Sequence, residues 1–318
     1  MAKFTRADLS KVKTISIKDR YSKVSPKDFA KPFDGARDSF ARFADSLPNI
    51  LMAAELRTLV DDIVKARKND KPVLLMMGAH VIKVGLTPVL IDLIKKNIIT
   101  AVSMNSAAAI HDVETAMWGQ TSEDVAANMM NGRFGMAKET GELMNQTLTD
   151  AYQNSDMGYG EALGRKLLDL KAPNADVSLL ASCYSLNIPI TIHAAIGTDI
   201  IHQHPTMDGA ATGELTFRDF KTLCELCKGL VGGGVVLNVG SAVIMPEVFL
   251  KALTVARNLG AQAKGFTTAV FDMNNHYRPT MNVQLRPTQD GGRGLYFTGH
   301  HEIMIPLLAA MVKTKISH

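Results

Sequence analysis

The fold is decided by PVLLMMG, residues 72–78, together with LTPVLIDLIKKN, residues 86–97, and IITAVSM, residues 98–104. The first and third segments are short, continuous apolar runs. The second has an amphipathic helical pattern, in which Thr87 is predicted as the N-cap and Pro88 as the first helical residue. Because a continuous apolar strand is buried on both faces, this order predicts a parallel sheet that is covered by helices.

The same alternation of strands and helices continues along the chain. Further strands are predicted in residues 188–194, 234–241, 266–274 and 294–299, and helices in residues 49–68, 111–119 (the start of a helix), 136–153, 159–170, 177–187, 216–230, 245–260 and 306–312. We therefore predict an α/β fold with a doubly wound, mainly parallel sheet of about six strands. This single Rossmann-like domain occupies residues 46–318, with a helical insertion at about 128–175. Residues 1–45 are polar and irregular and are predicted to form an N-terminal arm.

The composition narrows the class of protein. The chain has 318 residues, of which 46% are hydrophobic, and a net charge of +4. No apolar stretch reaches the roughly 18 residues that a membrane span needs, and the first residues lack the apolar core of a signal peptide. Three cysteines make no disulfide framework, so a reduced, cytoplasmic protein is expected. The basic start of the chain lacks interleaved aromatic residues, and neither a nucleic acid nor a membrane is expected as a partner.

Two local motifs are predicted to be structural. Cys224 and Cys227 form a C-x-x-C in the middle of a predicted helix, on the same face as Phe220 and Leu223. A redox pair needs a helix N-terminus, and a zinc site needs a second ligand pair, so packing in the core is predicted. The three glycines at 232–234 precede a strand, whereas a dinucleotide fingerprint follows one, so they are predicted to end a helix and form a turn.

Small and polar residues directly follow the predicted strands. The segments are GAH (78–80), NSAAAIHD (105–112), HAAIGTD (193–199), NVGSA (238–242), DMNNH (272–276) and TGHHE (298–302). Ligands of open α/β sheets bind at the carboxyl ends of the strands, so these segments predict a binding site there. Gly240 and Ser241 precede a predicted helix, whose N-terminus could bind an anion.

Histidines near these strand ends form an alternative set of metal ligands. The candidates are His193, His202, His204, His300, His301 and Glu302. Imidazole and carboxylate groups bind zinc or iron, but no H-E-x-x-H spacing fixes a geometry here. We therefore predict no metal.

The order of these segments resembles the deoxyhypusine synthase family of parallel-sheet, NAD-binding enzymes. The resemblance covers roughly residues 70–312, and its segments are VGLTPVLIDLIKKNIITAVSMNSAAAIHD (84–112), NIPITIHAAIGTD (187–199), GVVLNVGSAV (234–243), TTAVFDMNN (267–275) and HHEIMIPLLAAMV (300–312). It implies NAD as the cofactor and a homotetramer with sites at subunit interfaces. The run A-x-H-D-x-E (109–114) is also similar to the NAD-binding domain of bifunctional ornithine cyclodeaminases, which implies a small amine or amino acid as substrate.

The chain departs from the resembled family at the catalytic position. The family transfers an aminobutyl group through a lysine shortly before its last strand, beside a tryptophan. No lysine lies between Lys264 and Lys313 here, and the only tryptophan is Trp118. Arg286 is the nearest basic residue, but an arginine stays protonated and forms no imine. Deoxyhypusine synthesis itself is therefore not expected, and His111, which stands where the family has an acid, indicates different chemistry.

The resemblance and the strand ends together imply an NAD-dependent transferase, oxidoreductase or lyase that acts on a small amine or amino acid. His111 or His193 is the predicted general base, and Arg286 or Arg293 is predicted to bind a substrate carboxylate. Asp112 is the predicted ribose partner. The full set of predicted cofactor contacts is Gly78, Asn105, Ser106, Ala107, Asp112, Asp199, Gly240, Ser241, Asp272, Asn274 and His300. A metal-dependent enzyme and a non-catalytic NAD-binding protein remain as alternatives.

Overall fold

The structure is a computed structural model that describes residues 2–316. The chain divides into two compact units, one ending at Ala54 and one beginning at Glu55. In the first unit, none of residues 2–54 is buried. This unit contains helix α1 (Phe40–Ser46), in which the ring centroids of Phe40 and Phe43 are 5.8 Å apart.

A six-stranded parallel sheet forms the centre of the second unit. The strands are β1 (Val73–Met77), β2 (Ala101–Asn105), β3 (Ile190–His193), β4 (Val235–Val239), β5 (Thr267–Asp272) and β6 (Arg293–Thr298), in the spatial order β3-β2-β1-β4-β5-β6. Every residue of β1, β3, β4 and β5 is buried. The predicted doubly wound parallel sheet is confirmed, and its strand order is that of dinucleotide-binding folds.

Helices connect the strands and cover the sheet. They are α2 (Leu51–Lys68), which contains the boundary between the units, α3 (His80–Lys83), α4 (Thr87–Lys95), α5 (Ser106–Trp118), α6 (Val125–Met129), α7 (Lys138–Asn154), α8 (Tyr159–Asp169), α9 (Leu179–Ser185), α10 (Gly209–Lys228), α11 (Ile244–Asn258), α12 (Tyr277–Pro279) and α13 (His301–Ile316). The two helices predicted in the insertion correspond to α7 and α8. No helix within residues 2–316 is both long and apolar enough to cross a bilayer.

A buried apolar cluster lies between the sheet and helices α10 and α11. Leu74 and Met76 of β1 belong to it, as does Phe249 of α11. Cys224 and Cys227 are buried in the same cluster, and burial raises the pKa of both thiols. The prediction that the C-x-x-C packs in the core is confirmed. The triple glycine forms the turn between α10 and β4, with positive φ at two of its positions, which confirms that prediction as well.

Several helices begin earlier or later than predicted. Thr87 is the first helical residue and is buried, and the N-cap is Leu86, whose side chain makes no capping hydrogen bond. The prediction of Thr87 as N-cap was therefore wrong: a turn at residues 84–86 separates α3 from α4, and Leu86 takes the N-cap position. Helix α10 begins at Gly209, where Asp208 accepts from the amides of the first turn. Helix α13 begins at His301 and contains Pro306 inside.

The start of α5 is the difference that matters most for the site. The sequence predicted a helix from residue 111, after a binding segment that begins at Asn105, but the helix begins at Ser106, directly after β2. The side chain of Asn105 accepts a hydrogen bond from the amide of Ala108 at 3.0 Å, which caps the helix. Alanine also has the highest helix propensity, so the three alanines extend the helix toward the strand.

Candidate functional site

A cavity of about 730 Å³ lies beside α5, where the chain leaves the carboxyl end of β2. Ligand pockets in proteins have comparable volumes. Helix α5 contributes residues at spacings of three and four, which lie on one face: Ala107, Ile110, His111, Glu114 and Trp118. The other walls are formed by Lys83, Gln120, Thr121, Ser122, Glu123, Val125, Phe134, Ala137, Glu139, Thr140, Thr198, Asp199 and Ile200.

His111 belongs to a hydrogen-bonded chain in this cavity. Its Nδ1 lies 2.6 Å from Oγ1 of Thr121, and Thr121 donates to Oε2 of Glu114 at 2.5 Å. Thr140 donates to the other oxygen of Glu114 at 3.0 Å. Burial, and then the charge of Lys83, lower the pKa of His111 to about 4. The imidazole is therefore neutral at neutral pH and can accept a proton.

A second polar group lies around Asp199. Ser106, the first residue of α5, donates a hydrogen bond to its carboxylate. Burial raises the pKa of Asp199, and the hydrogen bond from Ser106 and the nearby His202 act in the opposite direction. Nε2 of His202 lies 3.8 Å from the carboxylate, while its Nδ1 accepts from the amide of Gly197 at 3.1 Å. Ala107 and Asp199, two predicted cofactor contacts, thus line the same cavity, and Ser106, a third, is buried beside it and bonded to Asp199.

Residues 119–137, which we call the cover segment, form one side of the cavity. The segment begins at Gly119, which ends α5 with a φ of 70°. Glu123 accepts from the amide of Gly135 at 2.8 Å, and the carbonyl of Gly135 lies 2.8 Å from Nε2 of His204. A Cβ added to Gly135 would lie 2.7 Å from the side chain of Ile200. The cover segment is therefore held closely against the loop that follows β3.

Gly78, Gly240 and Ser241 lie at the ends of β1 and β4, on the same edge of the sheet. The amide of Gly78 donates to the carbonyl of Val239 at 3.0 Å, and a Cβ on Gly78 would lie 2.1 Å from the carbonyl oxygen of Gly240. Ser241 is buried, and its Oγ accepts from the amide of Met245 at 3.2 Å. Close packing of two backbones explains the glycine at 78, and the hydroxyl of Ser241 stabilises the start of α11.

Asp272, Asn274 and His300 lie after β5 and β6, and they are not among the residues that line the cavity. Asp272 is buried, and its Oδ1 accepts from the amide of Asn274 at 3.4 Å. His300 is exposed, with Nδ1 3.7 Å from the carboxylate of Glu302. These three residues lie at the predicted carboxyl edge of the sheet, but beside β5 and β6, whereas the cavity lies beside the end of β2.

Asp112, the predicted ribose partner, does not line the cavity. Its side chain is 1% exposed and faces the start of α9. The carboxylate accepts from Oγ of Ser178 at 2.6 Å and from the amides of Leu179 and Leu180 at 2.8 and 3.1 Å. Burial raises its pKa to about 6. The structure thus gives both oxygens of this residue a helix-capping role, and the predicted contact with a ribose stays a prediction.

His193, the other predicted general base, is buried away from the cavity. It ends β3 with 3% exposure, and its Nε2 lies 3.0 Å from Oγ1 of Thr191. Burial lowers its pKa to about 3. The residue does not line the cavity, and its predicted catalytic role stays a prediction.

Arg286 lies at the opposite end of the sheet from the cavity. It is exposed, and its Nη1 donates to Asn282 at 2.7 Å. The nearby carbonyl of Gln284 would lie 1.8 Å from a Cβ on Gly294, the second residue of β6, so this segment packs at the amino end of that strand. Arg293 is the first residue of β6. Neither arginine lies near the cavity, because the chain crosses to the amino end of the sheet before reaching them, and their predicted contact with a substrate stays a prediction.

The histidines of the alternative metal set are dispersed. Within residues 2–316, no three His, Cys, Asp or Glu side chains lie close enough to share a metal ion. His204 pairs with the carbonyl of Gly135, and Nε2 of His301 lies 3.1 Å from the carbonyl of Phe271. These contacts give each of the two histidines a structural partner.

Sequence reasoning missed most of the polar wall of the cavity. Glu114 follows His111 by three positions, and Thr121 and Thr140 reach it from the cover segment and from α7. The helical spacing of Ala107, His111 and Glu114 was visible in the sequence. The predicted helix from residue 111 already places Glu114 one turn after His111, but the partners from the cover segment and α7 could not be read from that spacing.

Comparisons with known proteins agree with the fold. No protein-family model and no curated protein matches the sequence. Among solved structures, the chain is similar to AgrE in its ternary complex with ornithine and NAD+, with a TM-score of 0.54 and 15% identity over 83% of this chain. The match covers 33% of AgrE, so the chain spans about one third of the length of that protein.

Two further structures share the fold over most of their length. A protein from Entamoeba histolytica described as a deoxyhypusine synthase matches with a TM-score of 0.52 and 12% identity, over 89% of this chain and 96% of that one. A LOR/SDH protein from Methanococcus maripaludis S2 matches with a TM-score of 0.50 and 14% identity, over 82% and 70%. The chain therefore has the deoxyhypusine synthase-like, Rossmann-like fold. At these identities, the likeness establishes the fold alone.

Proposed function

We propose that this protein is an NAD-dependent enzyme that acts on a small amine or amino acid. The observation that carries the proposal is the cavity beside α5, in which a helix N-terminus, the Ser106–Asp199 pair and the neutral His111 converge. The structural similarity to AgrE, solved with ornithine and NAD+, supports NAD as the cofactor and an amino acid as the substrate.

The residues at the start of α5 fit NAD. The first-turn amides of a helix favour the negative charge of a pyrophosphate, and α5 is 13 residues long. Ala107 contributes only a methyl group to the wall, so the backbone there is approachable. Ser106, Ala107 and Asp199 would hold the cofactor, with the carboxylate placed for ribose hydroxyls. When bound, NAD supplies an acceptor for a hydride from the carbon that carries the amine.

The wall of the cavity fits a cationic substrate. It contains the carboxyl groups of Glu114, Glu123, Glu139 and Asp199. Lys83 is the one lysine or arginine among the described residues that line it. Hydrogen bonds within the protein occupy Glu114 and Glu123, whereas Glu139 is exposed. An acidic wall attracts a protonated amine, and the neutral His111 can take the proton that such a substrate must lose.

Binding and turnover can be tested separately. Isothermal calorimetry with NAD alone tests the cofactor site, and we expect Asp199→Asn to weaken binding while Asp290→Asn, an exposed position at the other end of the sheet, leaves it unchanged. A panel of amines and amino acids, followed by NADH absorbance and by product analysis, then tests the reaction. Absence of NAD binding at millimolar concentration would overturn the proposal. Binding without turnover of any amine would instead indicate a non-catalytic NAD-binding protein.

A further inference from the structure

The chain of hydrogen bonds through Thr121 fixes where its protons lie. A carboxylate only accepts, so the single hydroxyl hydrogen of Thr121 goes to Glu114. Toward His111, Thr121 can then offer only a lone pair, and Nδ1 of His111 must donate across the 2.6 Å contact. Nδ1 lies 3.9 Å from Oε2 of Glu114, which is too far for a direct hydrogen bond, so the hydroxyl is the bridge.

The other nitrogen of the ring is left for a ligand. A neutral imidazole with hydrogen on Nδ1 has a free lone pair on Nε2. His111 lines the cavity, and its side chain is 18% exposed. Because Thr121 occupies Nδ1, Nε2 is the nitrogen that can meet a molecule in the cavity.

Thr140 completes the arrangement. It donates to Oε1 of Glu114, while Thr121 donates to Oε2, so both carboxylate oxygens have a hydroxyl partner. Glu114 is therefore held in one orientation by Thr121 from the cover segment and Thr140 from α7. Thr121 belongs to the cover segment, and the bridge forms where that segment packs on α5.

We propose that Glu114 and Thr121 are positioning residues, which hold the proton of His111 on Nδ1 and present its Nε2 as a base to the cavity. The protonation of the ring is a property of the folded protein alone. The part of the proposal that concerns catalysis rests on the proposed function, in which Nε2 takes a proton from the amine substrate.

The position of the proton can be measured directly. In full-length protein labelled with ¹⁵N-histidine, the two ring nitrogens have distinct chemical shifts in the two tautomers, and His111→Gln identifies the His111 signals by their loss. We expect protonated Nδ1 and unprotonated Nε2 at neutral pH. Thr121→Val removes the hydroxyl with little change in shape, so the preference is expected to disappear, and Thr121→Ser is expected to restore it. Thr198→Val, which removes a hydroxyl elsewhere on the cavity wall, is expected to leave the His111 signals unchanged.

Glu114→Ala provides an independent test. Without its acceptor, the Thr121 hydroxyl is free to donate to Nδ1, so the proton is expected to move to Nε2. Thermal unfolding of each variant verifies that the fold is retained. A wild-type ring protonated on Nε2, or a Thr121→Val variant with the wild-type tautomer, would overturn the proposal.

Kinetics separate this proposal from the proposed function. Once a substrate is found, Thr121→Val is expected to lower kcat by about tenfold or more, with KM and NAD affinity unchanged and kcat recovered in Thr121→Ser. Equal kcat in the wild type and Thr121→Val would refute the catalytic part. If no amine is turned over, the proposed function fails, while the nitrogen shifts still decide whether Glu114 and Thr121 position the ring.

Discussion

Gly78 and Gly240 bring the ends of β1 and β4 into backbone contact, since a Cβ on Gly78 would lie 2.1 Å from the carbonyl oxygen of Gly240. Both strands are buried, and the contact joins them at the point where the strand order reverses. Gly78→Ala is therefore expected to separate the strand ends and lower the free energy of unfolding by about 3 kcal/mol or more. Urea denaturation followed by circular dichroism measures the change.

Gly213→Ala is the matched control for that substitution. Gly213 lies inside α10, and a Cβ there would have no heavy atom within 4 Å. Because alanine is the better helix former, this variant is expected to be more stable by about 0.5–1 kcal/mol. Equal stability of Gly78→Ala and the wild type would contradict the close packing at the strand ends.

The continuous apolar strands and amphipathic helices were sufficient to predict the parallel sheet, because a strand that is buried on both faces has an uninterrupted run of apolar residues. The site was predicted in part. Ser106, Ala107, His111 and Asp199 do line or border one cavity, since the carboxyl ends of neighbouring parallel strands meet there. The strand order and the position of the cover segment depend on contacts between residues that are distant in the sequence, so no local sequence pattern predicts them.

The prediction for Asp112 shows why chemical type alone was insufficient. Its hydrogen-bond partners are Ser178, Leu179 and Leu180, which lie more than sixty positions further along the chain. Only the packing of α5 against α9 reveals that the carboxylate is a helix cap. Asp199, an equally plausible acid in the sequence, is the one that reaches the cavity.

Asp112→Ala is expected to destabilise the protein without changing the affinity for NAD. Loss of the cap leaves the hydroxyl of Ser178 and two buried amides without their acceptor, which costs about 2–4 kcal/mol. Denaturant unfolding and calorimetry with NAD measure the two quantities. A large loss of NAD affinity in a folded Asp112→Ala protein would restore the ribose role predicted from the sequence.

Arg286→Ala is expected to leave ligand binding and turnover unchanged. The side chain is exposed and lies at the amino end of β6, and the substitution removes its hydrogen bond to Asn282. The free energy of unfolding is expected to change by about 0.5 kcal/mol or less. Lys83→Ala, which removes the cation beside His111, serves as the comparison and is expected to alter amine binding. A drop in turnover for Arg286→Ala would show that this end of the sheet takes part in the reaction.

The buried His193 is expected to make the protein less stable in mild acid. Burial lowers its pKa to about 3, whereas the unfolded ring titrates near 6.5. Between these two pKa values, the ring of His193 carries a proton in the unfolded chain but not in the folded chain. The free energy of unfolding therefore falls as the pH falls, by up to about 1.4 kcal/mol per pH unit.

The buried Asp219 has the opposite effect. Burial raises its pKa to about 7 from an ordinary value of 3.8. Between these two pKa values, the carboxyl of Asp219 carries a proton in the folded chain but not in the unfolded chain, so the free energy of unfolding falls as the pH rises. The two effects partly cancel in the wild type, which is why single variants are needed. Urea unfolding from pH 7 to pH 5 measures both effects. As the pH falls, the wild type is expected to lose stability relative to His193→Gln. Over the same range, it is expected to gain stability relative to Asp219→Asn. A difference between the wild type and His193→Gln that is constant with pH would mean that the ring is not held neutral in the folded state.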